Sequence, residues 1–304
     1  MSQFYYFLCN EGSESFLKEE IKCFYPELTF AYSTKGFVTF KENRRLKNKL
    51  QITFARHSGE YLDRGLEAVM QKEFDALPGK KIAYHLNGEI IKSEDLEIGD
   101  EVYELIHISS EAVYLGKFKV ESERDRLIGG FQSMEIPPNA PSRAYLKIIH
   151  GAQSAGVSFH SGERAIEIGS SPGGATYALL SLGLEVIGVD PGKMDKICLD
   201  NKKFVHHEIA IQDFKVESIK QPIDWFLVDM NLAPEATIRE CEKVLNAIKS
   251  TMRGGFITLK MTKQSLVSKL PFYRKLLERL GFEVVFTTQL PSHKQEFLMY
   301  VKTR

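Results

Sequence analysis

The 304 residues carry 40 basic and 40 acidic side chains, so the chain is formally neutral, and 43% of its residues are hydrophobic against 26% charged. That balance is that of a globular chain with room for one large or two ordinary domains, and it excludes a dedicated nucleic-acid coat, which would be basic overall. Cys9, Cys23, Cys198 and Cys241 are scattered without CxxC spacing, the opening Met1-Ser-Gln-Phe-Tyr-Tyr has no basic leader region, and no stretch approaches about 18 uninterrupted apolar residues, so reduced thiols, no membrane contact and a cytoplasmic location are expected. No metal site and no obligatory protein partner is read from the sequence.

In chain order, Gln3 to Cys9 alternates loosely and is aromatic, as a strand should be. Asn10-Glu-Gly-Ser13 is a turn, and Phe16, Leu17, Glu20, Ile21 and Phe24 follow at helical spacing until Pro26. Leu28 to Ser33 and Gly36 to Lys41 read as two further strands. The order β-α-β-β suggests a small ferredoxin-like unit, with its aromatics in the core rather than on an RNA platform. Arg44, Arg45, Lys47 and Lys49 lie in the densest basic run. That run is either a solvated helix face or a phosphate-binding patch, where cations replace counterions along an RNA backbone. Glu60 to Leu77 reads as a helix closed by Pro78-Gly79, and Ile82 to Val120 as short strands. Residues 121–141 are charged and then glycine- and proline-rich, at Gly129-Gly130 and Pro137-Pro-Asn-Ala-Pro141, and a linker over 131–141 divides a domain 1–130 from a domain 142–304.

The second domain opens with Ser142 as the N-cap of a helix through Ala155, which carries Lys147. Ala165 to Ile168 is a short apolar run, as a parallel strand buried on both faces should be. The turn Gly169-Ser-Ser-Pro-Gly-Gly174 follows, where Gly169, Gly173 and Gly174 let the backbone approach a ligand with no Cβ in the way. Val186 to Val189 is the next strand and places Asp190 at its carboxyl end, where ligands bind in open α/β sheets and where an acid can accept both hydroxyls of an adenosine ribose. Pro172 removes one N–H from a turn that already lacks the GxGxxG pattern. That suits S-adenosylmethionine better than a pyrophosphate-bearing nicotinamide cofactor. Strands and helices then alternate: Phe204 to Ala210, Trp225 to Met230, a helix Ala236 to Met252, Phe256 to Lys260, a helix Leu266 to Leu280, and strands Phe282 to Phe286 and Glu296 to Lys302. The alternation predicts a doubly wound, mostly parallel α/β sheet.

Four blocks, Ala140-Pro-Ser-Arg-Ala-Tyr-Leu-Lys147, Glu167-Ile-Gly-Ser-Ser-Pro-Gly-Gly174, Val228-Asp-Met230 and Thr258-Leu-Lys260, with a terminal Gln295-Glu296-Phe297, carry a resemblance. Together they are similar to the FtsJ-type ribose 2′-O-methyltransferases, most closely the RlmM group that acts on large-subunit ribosomal RNA. The resemblance spans roughly residues 139–304. It implies S-adenosylmethionine as cofactor, RNA as substrate (ribosomal, methylated at a cytidine) and a Rossmann-like domain ending in an antiparallel hairpin. It implies cofactor contacts from Gly169, Ser171, Pro172, Gly173, Gly174, Asp190 and Asp229, with Asp213 where related enzymes hold the adenine amino group. It also implies that the smaller α+β amino-terminal domain, THUMP-like, grips the RNA. Three positions depart from the pattern: Glu167 for an aspartate, Ala175 for a tryptophan and Ala144 for a serine.

A ribose hydroxyl is a poor nucleophile at neutral pH and needs a base. Lys260 and Asp229 end neighbouring strands and so share a crevice with the glycine turn. In the order of the resemblance, Lys147, Asp229, Lys260 and Glu296 form the catalytic set. Lys260 is expected to accept the proton, Asp229 to orient its amine, Lys147 to lower the pKa of Lys260 by like charge, and Glu296 to orient a lysine. The alternative is a non-catalytic RNA-binding protein on a methyltransferase scaffold.

Overall fold

The computed structural model describes residues 3–131 and 134–304. The chain divides into two compact units, residues 1–133 and 134–304.

The first unit runs β1 (Phe4–Leu8), α1 (Glu14–Phe24), β2 (Leu28–Thr34), β3 (Phe37–Glu42), β4 (His57–Gly65), α2 (Glu67–Ala76), β5 (Lys80–His85), β6 (Ile90–Lys92), β7 (Glu101–Ser109) and β8 (Ala112–Lys119). One sheet holds all eight strands in the order β2-β3-β1-β4-β8-β7-β5-β6, antiparallel except for the β5–β7 pair. Its β2-β3-β1-β4 end is the expected ferredoxin-like order, without a second helix between β3 and β4. Tyr6 and Phe7, on opposite faces of β1, are both core residues, as expected of the aromatics here. Glu20 interrupts the apolar face of α1 for a reason the spacing did not show. It is buried, and its carboxylate accepts the backbone N–H groups of Thr53 at 2.7 Å and Phe54 at 3.0 Å.

Two expectations for this unit are corrected. Residues 60–65 are strand, not helix: β4 pairs with both β1 and β8, and that two-sided hydrogen bonding overrides local helix preference. The basic run is an extended loop rather than a helix face, with Arg44, Arg45, Lys47 and Lys49 all exposed. Lys49 forms an ion pair with Glu121.

The second unit runs α3 (Ala144–Ala155), β9 (Arg164–Ile168), α4 (Gly174–Ser181), β10 (Glu185–Val189), α5 (Lys196–Leu199), β11 (Phe204–His207), β12 (Trp225–Asp229), α6 (Pro234–Ile248), β13 (Gly254–Lys260), α7 (Leu270–Arg279), β14 (Phe282–Thr288) and β15 (Glu296–Thr303). The sheet order is β11-β10-β9-β12-β13-β15-β14. The first five strands are parallel, and β15 runs antiparallel between β13 and β14. This is the doubly wound sheet closed by a hairpin that the alternation predicted. Its parallel strands, such as Phe226, Leu227 and Val228 of β12, are buried on both faces by the helices.

Several boundaries differ from the sequence reading by a few residues, among them α6, which runs Pro234–Ile248 rather than Ala236 to Met252, and three others have a clear local cause or bear on the site. Helix α3 begins at Ala144 with Arg143 at the N-cap, and Ser142 instead lends its Oγ to the Ala144 N–H at 3.3 Å. The stretch Leu266 to Leu280 is a tight 3₁₀ turn over Gln264–Lys269 followed by α7, because Pro271 favours a fresh helix start. The strand expected over Phe204 to Ala210 stops at His207. No helix among the described residues is long and apolar enough to cross a membrane.

Candidate active site

The parallel strands β9, β10, β12 and β13 end on one edge of the sheet, and the polar side chains gather there. The turn after β9 is stitched to the turn after β10. Gly169 N–H donates to Val189 O at 2.9 Å, Ser171 Oγ to Lys193 O at 2.8 Å, and Asp195 N–H to Pro172 O at 3.0 Å. Gly169 and Gly173 have φ of 80° and 113°, a region that favours glycine. A Cβ on Gly169 would lie 2.5 Å from the Asp229 carbonyl oxygen, so only glycine lets this turn close on the end of β12. A Cβ on Gly174 would meet Ser142 Oγ and lie 2.7 Å from the Ser142 carbonyl oxygen, so glycine lets α4 come near the start of α3. Asp190 stands just past β10 with its Oδ1 taken by the Gly192 N–H at 2.6 Å. Asp213 ends the 3₁₀ turn Ile211–Asp213 beyond β11 and is exposed.

Beside this turn lies a closed ring of four charges. Lys147 Nζ is 2.6 Å from Asp229 Oδ2 and 2.7 Å from Glu296 Oε1. Lys260 Nζ is 2.9 Å from Asp229 Oδ1 and 2.5 Å from Glu296 Oε2. Each carboxylate therefore divides its two oxygens between the two lysines. The backbone explains the convergence. Lys260 and Glu296 are direct cross-strand partners of β13 and β15, and Asp229 pairs with Thr258 two residues before Lys260. Lys147 lies one turn before Gly151 on α3. At Gly151 an added Cβ would touch the Phe256 ring at 3.0 Å, so glycine lets the helix sit close on β13.

Burial alone would lower the pKa of Lys260, but Asp229 and Glu296 outweigh it, and the net shift is upward. The expected lowering by Lys147 is thus corrected: the carboxylates stand between the two amines, so attraction exceeds like-charge repulsion. Glu296 is held down to about 2. Burial works against this, and His293 and the two ammonium groups work for it; at neutral pH the ammonium groups carry the effect, because burial leaves His293 itself neutral with a pKa of about 3. Glu167, noted only as a departure in sequence, is fully buried in β9. Burial, with Asp229 and Asp190 nearby, pushes its carboxyl up to about 8 against a 2.6 Å hydrogen bond from Thr176 Oγ1. His293 gave no signal in the sequence: a single histidine in a Pro-Ser-His-Lys turn fits no periodicity.

The donor set fits S-adenosylmethionine. Three carboxylates, Asp190, Asp213 and Asp229, follow three strand ends, where ribose hydroxyls, an adenine amino group and a cationic amino acid moiety can all be accepted; a pyrophosphate would be repelled. Ser170 Oγ is buried without a hydrogen-bond partner among the described residues.

The sequence profile of the FtsJ-like methyltransferases matches residues 140–296. The chain belongs to the FtsJ-like methyltransferase family. Its second unit is thus an S-adenosylmethionine-dependent methyltransferase domain. The ribosomal RNA large subunit methyltransferase M of Psychromonas ingrahamii is 32% identical over 139 residues, 44% of this chain and 37% of that protein. The same-named protein of Musicola paradisiaca is 24% identical over 228 residues, 71% of this chain and 60% of that one. The chain therefore spans between about a third and two thirds of the length of these relatives. Among solved structures, TrmN from Thermus thermophilus aligns over 99% of this chain and 100% of its own at 13% identity, with a TM-score of only 0.40.

The neutral carboxyl of Glu167 has a consequence for stability. A carboxyl whose folded pKa exceeds its unfolded value binds its proton more tightly when folded. Its contribution is intact below the unfolded pKa and is lost as pH rises toward about 8. Glu167→Gln keeps an acceptor for Thr176 and cannot ionise. In thermal unfolding without cofactor, it is expected to raise Tm by several degrees more at about pH 8.5 than at about pH 5. An equal Tm difference at both pH values would show that Glu167 is ionised in the folded state.

Proposed function

We propose that this chain transfers a methyl group from S-adenosylmethionine to a ribose 2′-hydroxyl of RNA, with large-subunit ribosomal RNA as substrate. The observation that carries the reading is the ring of Lys147, Asp229, Lys260 and Glu296 beside the glycine turn. Two amines and two carboxylates can hold a hydroxyl and move its proton, which base methylation at an already basic ring nitrogen does not require. The resemblance of the relatives named as large-subunit ribosomal RNA methyltransferases supports the choice of RNA.

Gly169, Ser171, Pro172, Gly173 and Gly174 would cradle the cofactor, with Asp190 on its ribose, Asp213 on its adenine and Asp229 near its sulfur. Bound there, the cofactor supplies a methyl carbon activated by a sulfonium. The side chains of the ring do the rest. Asp229 and Glu296 fix both amines, Lys147 holds the target hydroxyl, and Lys260 Nζ receives its proton. Since Lys260 is raised, the resting site holds it as an ammonium. Lys147 and Lys260 already share Asp229, so Lys260 would shift toward its neutral amine when a third positive charge, the sulfonium of a bound cofactor, stands beside it, and the chemical step accelerates as pH rises.

The first unit is the RNA grip in this reading. Arg44, Arg45 and Lys47 stand on an exposed loop, while Lys49 is already engaged by Glu121. Changing all four to alanine is expected to flatten the salt dependence of RNA binding by about one log–log unit per lost phosphate contact, with cofactor affinity unchanged. An unaltered slope would make the loop an ordinary solvated surface.

Lys260→Arg keeps the charge but cannot release a proton near neutral pH. It is expected to bind S-adenosylmethionine almost normally and to lose roughly 10²-fold or more in single-turnover methyl transfer to ribosomal RNA. Lys263→Ala, an exposed residue beyond the strand end, is expected to stay active. Near-normal turnover in Lys260→Arg would remove Lys260 as the proton acceptor.

A further inference from the structure

In the tip of the β14–β15 hairpin, residues 289–295, three side chains turn inward where a hairpin loop ordinarily meets solvent, while Lys294 and Gln295 stay exposed. Gln289 and Leu290 are each 1% exposed and His293 is 3% exposed. The tip closes on itself: His293 N–H donates to Leu290 O at 2.9 Å, and Leu290 N–H donates to His293 Nδ1 at 3.3 Å. The side-chain amide of Gln289 spans the loop, donating to Lys294 O at 2.8 Å and, more loosely, to Glu296 O at 3.4 Å. Two more bonds tie the tip to the elements that carry the lysines. Met261 N–H, next after Lys260, donates to Gln295 O at 2.7 Å. Ser292 Oγ is 3.2 Å from His150 Nδ1, one helical turn beyond Lys147 on α3.

The imidazole of His293 lies within electrostatic reach of all four ring members: Glu296 on β15, Lys147 on α3, Asp229 on β12 and Lys260 on β13. Its Nδ1 accepts from Leu290, so the neutral ring carries its proton on Nε2. A charged imidazole would put a third cation beside two lysines that already balance two carboxylates. A neutral one leaves that balance intact.

We propose that this hairpin tip is a positioning clasp for the four-charge ring, and that His293 and Gln289 are the positioning residues that set how firmly Glu296 holds Lys260. The proposal rests on the reading of the ring given above. The grip of Glu296 is one of the interactions that raises Lys260. A looser grip makes Lys260 easier to deprotonate and at the same time misplaces it.

The test is an NMR titration of the full chain labelled with ¹³Cε-lysine, with Lys260→Arg assigning the Lys260 signal. His293→Leu and Gln289→Met are each expected to lower the Lys260 pKa by about one unit, the scale of a weakened ion pair. His293→Asn, whose Oδ1 can replace Nδ1 as the acceptor for Leu290, is expected to restore it. In methyl transfer to RNA, the midpoint of the rise of kcat with pH should move down in the same two variants, with KM for S-adenosylmethionine unchanged. A purely structural role would lower Tm and leave both the titration and the pH midpoint in place, and that result overturns the clasp. Gln289→Met decides alone if His293→Leu does not fold. If the Lys260 titration moves as expected but the wild-type chain transfers no methyl group to RNA, the clasp stands and the functional reading falls.

Discussion

Four charges in a closed ring impose the central constraint on the carboxy-terminal domain. Lys147, Asp229, Lys260 and Glu296 come from α3, β12, β13 and β15, and every link is 2.5 to 2.9 Å. Ion pairs that are partly removed from water stabilise only when geometry is good and every partner is present. Loss of one member would strand the other three with unequal charge. The ring therefore demands that a helix, two parallel strands and an antiparallel strand meet at one point. Several features of the fold serve that demand: the cross-strand pairing of Lys260 with Glu296, the close approach of α3 at Gly151, and a hairpin tip that buries Gln289, Leu290 and His293.

The neighbouring glycine turn solves a different problem, that of bringing backbone against ligand. Gly169 can only be glycine because the Asp229 carbonyl occupies the space of a side chain. The same contact links the two halves of the site, since Asp229 is at once a ring member and the wall of the turn. Charge is managed across both halves. Asp229 is answered by two lysines, whereas Glu167, buried with Asp229 and Asp190 nearby, is pushed up to about 8 and stays neutral near pH 7. A further carboxylate charge there would have no cation to answer it in the free protein.

Much of this was legible in the residues. The α/β alternation, the glycine turn, and the acids and lysine that close strands all follow from local patterns, because parallel strands buried on both faces read as apolar runs with polar ends. What was not legible depends on partners distant in sequence. Residues 60–65 became strand β4 through β1 and β8 on either side. The basic run became a loop because no apolar periodicity anchors a helix there. Proximity of Lys147 to Lys260 suggested a lowered pKa, and only the interposed carboxylates reverse the sign. His293 and Gln289 act through a turn whose burial no sequence window reveals.

The central claim is that the ring moves a proton from a ribose hydroxyl during methyl transfer. Its most direct test is to incubate the full chain with ribosomal RNA and S-adenosylmethionine carrying an isotopically labelled methyl group. The RNA is then digested to nucleosides and the label located by mass spectrometry. The account predicts label on the ribose of one nucleoside, abolished in Asp229→Asn. Label on a nucleobase, or label on ribose that persists undiminished in Asp229→Asn, would contradict it.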